Sequence, residues 1–95
     1  ETFADGIATR SPDPEALAMM VRGAEAVVTV PESAIRGAMR HYFTDIHQVA
    51  EGAAAAALAA AECYPDLVRG RKVGLVLSGG NVDREVYAEI LSADV

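Results

Sequence analysis

The sequence predicts an α/β fold, part of a three-layer αβα arrangement in which helices cover a parallel sheet, and an incomplete domain. Three observations predict it. Helix and strand signals alternate in the order helix, strand, helix, short strand, helix, strand, helix, the succession that builds a parallel sheet with helical crossovers. The strand candidates at 26–30 and 72–77 are continuous apolar runs rather than alternating ones, as expected of parallel strands buried on both faces. Two or three strands are too few for a self-sufficient open sheet, so the remainder is expected to come from elsewhere.

Each element has its own local cause. Asp13 before Pro14 is a helix-start pair, because proline's fixed φ and missing N–H suit the first helical position; with Gly23 as a stop, residues 14–22 are expected to be helical. Ala26-Val27-Val28-Thr29-Val30 is short, β-branched and closed by Pro31, which reads as a buried strand. From Glu32 to Ile46 the residues Ile35, Met39, Tyr42, Phe43 and Ile46 recur at spacings of three and four, the stripe of an amphipathic helix. Arg36 and Arg40 fall together on another face and are read as solvated. His41 and His47 lie on the same helix but point about 120° apart, so they are not expected to share a metal.

Gln48 to Ala50 is a short strand candidate. The block from Glu51 and Gly52 through Ala61 joins the best helix former to very little side-chain volume, which lets a neighbour approach closely. Its opening acid complements the helix dipole. Tyr64-Pro65-Asp66 is a break and Arg69-Gly70-Arg71 a polar connection. Lys72 to Leu77 then runs into Ser78-Gly79-Gly80-Asn81, followed by a helix from about Asp83 with Val86, Ile90 and Leu91 at helical spacing.

Composition narrows the function. The 95 residues carry a net charge of −6, with fourteen acidic side chains against eight basic ones, which argues against nucleic acid and anionic membranes as partners. Cys63 is the single cysteine, and no Cys/His spacing matches a zinc site, so no metal is expected. Without a long apolar run or a signal-peptide pattern, the chain reads as soluble and cytoplasmic. The opening residue Glu1, and a stretch to Arg10 with no helix start, repeat or tag-like composition, read as the interior of a longer chain.

In open parallel sheets ligands bind beyond the carboxyl ends of strands, and Ser78 to Asn81 lies at such an end. Its two glycines allow close backbone approach, and the Ser78 hydroxyl both donates and accepts hydrogen bonds. The pattern alone is neither a P-loop nor a dinucleotide fingerprint. The conjunction is more specific. Ala4-Asp5-Gly6-Ile7-Ala8, the strand Val27 to Val30 followed by a helix, Glu51-Gly52 with its alanine run, and Val76-Leu77-Ser78-Gly79-Gly80-Asn81-Val82-Asp83 occur in this order.

Together they resemble the C-terminal part of the catalytic domain of threonine and serine dehydratases and serine racemases, fold-type II (tryptophan synthase β-like) pyridoxal phosphate enzymes. The resemblance covers nearly all of residues 1–95. It implies pyridoxal 5'-phosphate as cofactor in the complete parent enzyme, with Ser78, Gly6, Glu51 and Gly79 as cofactor-binding residues. Ser78 matches the serine whose hydroxyl faces the cofactor's ring nitrogen; a neutral hydroxyl there does not hold that nitrogen protonated, which suits β-elimination. Gly6 matches a glycine whose backbone passes near the ring, and Glu51 the acid at the start of the helix behind it. Asp5 and Asn81 are expected to support these loops. Where family members have Glu-Gly-Ala-Gly, this chain has Ala54 in place of the second glycine, which leaves the closeness of that helix in question.

The resemblance also implies what must lie upstream: the cofactor-bearing lysine, an asparagine near the ring oxygen, a glycine-rich phosphate loop and the cation site of some relatives. Lys72, the one lysine, reads as a solvated strand end, so no catalytic residue is assigned and the isolated chain is expected to be inactive. The expected activity of the parent is removal of water and then ammonia from a hydroxy amino acid substrate. Racemisation on the same scaffold is an alternative, and a non-catalytic interaction module derived from this fold is another. Homo-oligomerisation or association with the rest of the domain is expected in either case.

Overall fold

The computed structural model describes residues 2–93. Among the described residues there are four α-helices, α1 (Pro14–Gly23), α2 (Glu32–Ile46), α3 (Gly52–Cys63) and α4 (Arg84–Ser92), with single 3₁₀ turns at Asp5–Ile7 and Pro65–Leu67. The start of α1 follows the expected chemistry: Pro14 occupies the first position and the Ala16 N–H donates to Asp13 Oδ2 at 2.9 Å. α1 packs against none of the other elements among the described residues, and every residue in it is exposed.

The core is built by α2, α3 and α4. Ile35, Ala38, Met39 and Tyr42 form the buried stripe of α2, as their spacing predicts. Opposite them lie Gly52, Ala54, Ala55 and Ala59 of α3, with Ile90 from α4 and Ala4 from the N-terminal segment. Small side chains on α3 let α2 press in close, so that Met39 is wholly buried. Ala54 is itself 1% exposed, so the methyl that replaces the family glycine is packed into the core without holding the helices apart. α2 ends where His47 turns into the left-handed region at φ 55°, ψ 41°, letting its N–H reach the Phe43 carbonyl and the Gln48 N–H reach that of Tyr42. Burial pushes the phenol of Tyr42 up from its ordinary value, with the Glu62 carboxylate adding to the shift, and burial does the same to Tyr87.

The predicted parallel sheet is not formed: no strand occurs among the described residues. Residues 26–30, 48–50 and 72–77 run between helices without a ladder. A strand exists only through hydrogen bonds to a neighbour, and an apolar run has a strand's pattern whether or not that neighbour is present. Val27 and Val76 are accordingly 77% and 78% exposed, where the expectation was full burial. Two contacts fix the chain in and beside these segments. The Tyr64 hydroxyl donates to the Thr29 carbonyl at 2.7 Å, and the Glu51 N–H donates to the Gly79 carbonyl at 3.1 Å.

The solvated reading of the arginine pair on α2 holds for Arg36 and is corrected at Arg40. Arg40 is half-buried and its Nη1 donates to the Ile90 carbonyl at 3.2 Å, while the exposed Arg36 guanidinium lies 4.9 Å from the centre of the Phe3 ring. Long side chains on a predicted surface face found partners that only tertiary packing supplies. His41 Nδ1 sits 2.7 Å from Glu62 Oε2, bridging α2 and α3, and His47 caps its own helix through Nδ1 to the Phe43 carbonyl at 3.0 Å.

Candidate functional site

Three segments distant in sequence meet at the N-termini of α3 and α4. Glu51 is the N-cap of α3, yet its side chain makes no capping bond. Its carboxylate turns instead toward the glycine loop. A Cβ built on Gly79 would lie 2.9 Å from Glu51 Oε1, and one built on Gly6 would lie 4.0 Å from Oε2 and 3.0 Å from the Ala53 methyl. The backbone rung from Glu51 to Gly79 fixes the same approach through main-chain atoms. Gly80 is tighter still, since a Cβ there would stand 2.6 Å from the Val49 carbonyl oxygen. Gly52 leaves a similar gap on the other side, 3.0 Å from Ala4 and Phe3.

Glu51, Gly6 and Gly79, named from the sequence, are therefore neighbours. Ser78 precedes Gly79 with an exposed side chain that makes no hydrogen bond among the described residues. Beside this junction opens a cleft of about 250 Å³ lined by Phe3, Asp5, Glu51, Gly52, Asn81 and Val82, together with Asp83 and Val86 at the start of α4. Asp5 and Asn81, expected only to support loops, both face it. Sequence reasoning named Gly80 and Asp83 within the loop motif and Val86 on the helix after it without assigning any of them to the site. Only the folded chain reveals that Asp83 is an N-cap aspartate whose side chain makes no capping bond, unlike Asp13 before α1.

Three carboxylates, from Asp5, Glu51 and Asp83, and no lysine or arginine line the cleft. Lys72 is exposed and outside it. Such a wall repels anions. It offers hydrogen-bond acceptors, an amide at Asn81, and apolar faces at Phe3, Val82 and Val86 against which a flat ring can lie.

The sequence profile of the family described as pyridoxal-phosphate dependent enzyme matches residues 1–79. The chain belongs to this family of pyridoxal phosphate enzymes, on its threonine dehydratase-like branch. It is 35% identical to the L-threonine ammonia-lyase of Thermotoga maritima, over 96% of this chain and 22% of that protein. Identity is 30% to an L-threo-3-hydroxyaspartate ammonia-lyase from Pseudomonas sp, over 95% of this chain and 28% of that protein, and 27% to the serine racemase of Schizosaccharomyces pombe, over 97% and 28%. The chain thus spans roughly a quarter of the length of these relatives.

The family's cofactor is pyridoxal phosphate. The donor set here fits one end of that molecule. A hydroxyl at Ser78 that is exposed and without a hydrogen-bond partner among the described residues suits a neutral ring nitrogen, whereas the carboxylate-lined cleft is wrong for a phosphate. No helix among the described residues is long and apolar enough to cross a membrane.

Proposed function

We propose that residues 1–95 form the C-terminal portion of the catalytic domain of a pyridoxal phosphate-dependent ammonia-lyase, which converts a hydroxy amino acid to a 2-oxo acid and ammonia. The convergence of Gly6, Glu51 and Gly79 beside the free Ser78 hydroxyl carries this reading, because it joins three motifs that lie far apart in sequence. When bound, pyridoxal phosphate supplies an electron-accepting ring that weakens bonds at the substrate's α-carbon. This chain's contribution is to seat the ring. The Ser78 Oγ–H would donate to the ring nitrogen and leave it without a formal charge. Gly6 and Gly79 let the Ala53 methyl and the Glu51 carboxylate pack close against the loops, and Glu51 braces the glycine loop through its N–H. Phosphate, lysine and substrate carboxylate are handled by polypeptide outside these residues. Residues 1–95 alone do not catalyse the reaction.

The test is made on the complete polypeptide that carries this segment. It is expected to bind pyridoxal phosphate and to release ammonia from L-threonine or L-serine, with Ser78→Ala weakening cofactor affinity by about tenfold, the worth of one lost hydrogen bond in a partly dry site. A polypeptide that binds no cofactor, or whose affinity is indifferent to Ser78→Ala, overturns the proposal. Formation of D-serine without ammonia would reassign the chain to a racemase.

A further inference from the structure

We infer that Arg40 is a positioning residue that sets the width of the cleft; this rests on the cofactor reading above. One wall of the cleft is the start of α3, with Glu51 and Gly52, and the other is the start of α4, with Asn81, Val82, Asp83 and Val86. α3 is held against α2 by close alanine packing. α4 has less to hold it: Ile90 in the core, Tyr87 edge-on to Phe43 of α2 at 6.3 Å, and the guanidinium of Arg40.

Arg40 crosses from α2 to the last turn of α4 and donates from Nη1 to the Ile90 carbonyl. That turn contains no basic residue of its own, so Arg40 supplies the cation that the negative end of the helix dipole favours. Its Nη2 end lies over Gly37, where a built Cβ would stand 3.7 Å away. Its Nε is buried without a partner among the described residues. The side chain is therefore confined as well as bonded. Because α4 is a short rigid rod, an anchor on its last turn also fixes where its first turn stands, and with it the wall formed by Asp83 and Val86. Arg40 touches nothing in the cleft and acts only through α4.

The experiment uses the complete polypeptide and has two readouts. Amide hydrogen exchange without cofactor is expected to quicken by about tenfold in Arg40→Ala at Glu51, whose N–H bonds to Gly79, and at Tyr87, whose N–H bonds to Asp83, but not at Tyr64 at the far end of α3. Cofactor affinity is expected to fall on the order of 10- to 100-fold, the cost of a misplacement of about 1 Å. Arg40→Lys, which restores one donor to the Ile90 carbonyl, recovers part of both. If Arg40→Ala does not fold, Arg40→Lys is compared directly with the unaltered protein by the same measurements. Exchange that quickens equally at all three amides, or cofactor affinity that stays unchanged, overturns the inference by making Arg40 a general stabiliser or a bystander. An unaltered polypeptide that binds no cofactor defeats the functional reading, and the exchange pattern still shows whether Arg40 positions α4.

Discussion

The N–H of Glu51 donates to the carbonyl of Gly79 at 3.1 Å, and the Glu51 carboxylate lies against the same glycine, so one residue grips the loop by both its main chain and its side chain. This double contact joins the start of α3 to the segment that carries Ser78. It also distinguishes the two glycines that follow Ser78.

At Gly80 an added methyl would meet the Val49 carbonyl, which is backbone and cannot swing aside. Gly80→Ala should therefore destabilise the complete polypeptide by about 3 kcal/mol, at the upper end of ordinary overpacking costs. Urea unfolding checks this. A loss below about 1 kcal/mol would mean that segments 48–50 and 78–80 stand further apart than described.

Gly79→Ala should behave differently. The group it meets is the end of a flexible Glu51 side chain, which can rotate away at a cost to stability of about 1 kcal/mol. What it loses is the placement of that carboxylate against the glycine loop that carries Ser78. Cofactor affinity should fall more than stability does, and titration with pyridoxal phosphate alongside a thermal melt separates the two.

Met39 is the largest wholly buried side chain, facing the alanines of α3. Met39→Ala should cost about 2–5 kcal/mol, because rigid alanine methyls cannot collapse into the space left behind. Equilibrium unfolding measures it, and a cost under 1 kcal/mol would show that the helices can close the gap.

Tyr87 has a buried hydroxyl without a hydrogen-bond partner among the described residues. Tyr87→Phe should leave stability at neutral pH unchanged or raise it by about 1 kcal/mol, since it removes a desolvated polar group and keeps the ring against Phe43. The raised phenols of Tyr42 and Tyr87 also set an alkaline limit. Each keeps its proton in the folded state at pH values where the unfolded chain has lost it. Their stabilisation is therefore complete below the ordinary tyrosine pKa near 10 and is lost as pH rises through the higher folded values. Melting temperature against pH should fall in that window and fall less steeply in Tyr42→Phe.

Much of this was legible in the sequence because its causes are local. Asp13-Pro14 started α1 as expected, the three-and-four spacing of Ile35, Met39 and Tyr42 named the buried face of α2, and the alanine run formed α3. The motifs of the site were also legible one by one, and Gly6, Glu51 and Gly79 do meet. What could not be read depended on partners distant in sequence. Val27 and Val76 look like buried strands because side-chain pattern is a property of the segment, while pairing is a property of its neighbours. Arg40 looked solvated because nothing near it in sequence points to Ile90, fifty residues on. Asp83 went unassigned to the site because helix-start aspartates ordinarily cap, and only the folded chain shows that this one does not.

The bare valines at 27 and 76 also bear on how the polypeptide must be handled. Each lies in a short, weakly charged, β-branched stretch of the kind that stacks into cross-β fibres when it is left open to solvent. Concentrated alone, residues 1–95 should bind thioflavin and seed their own precipitation.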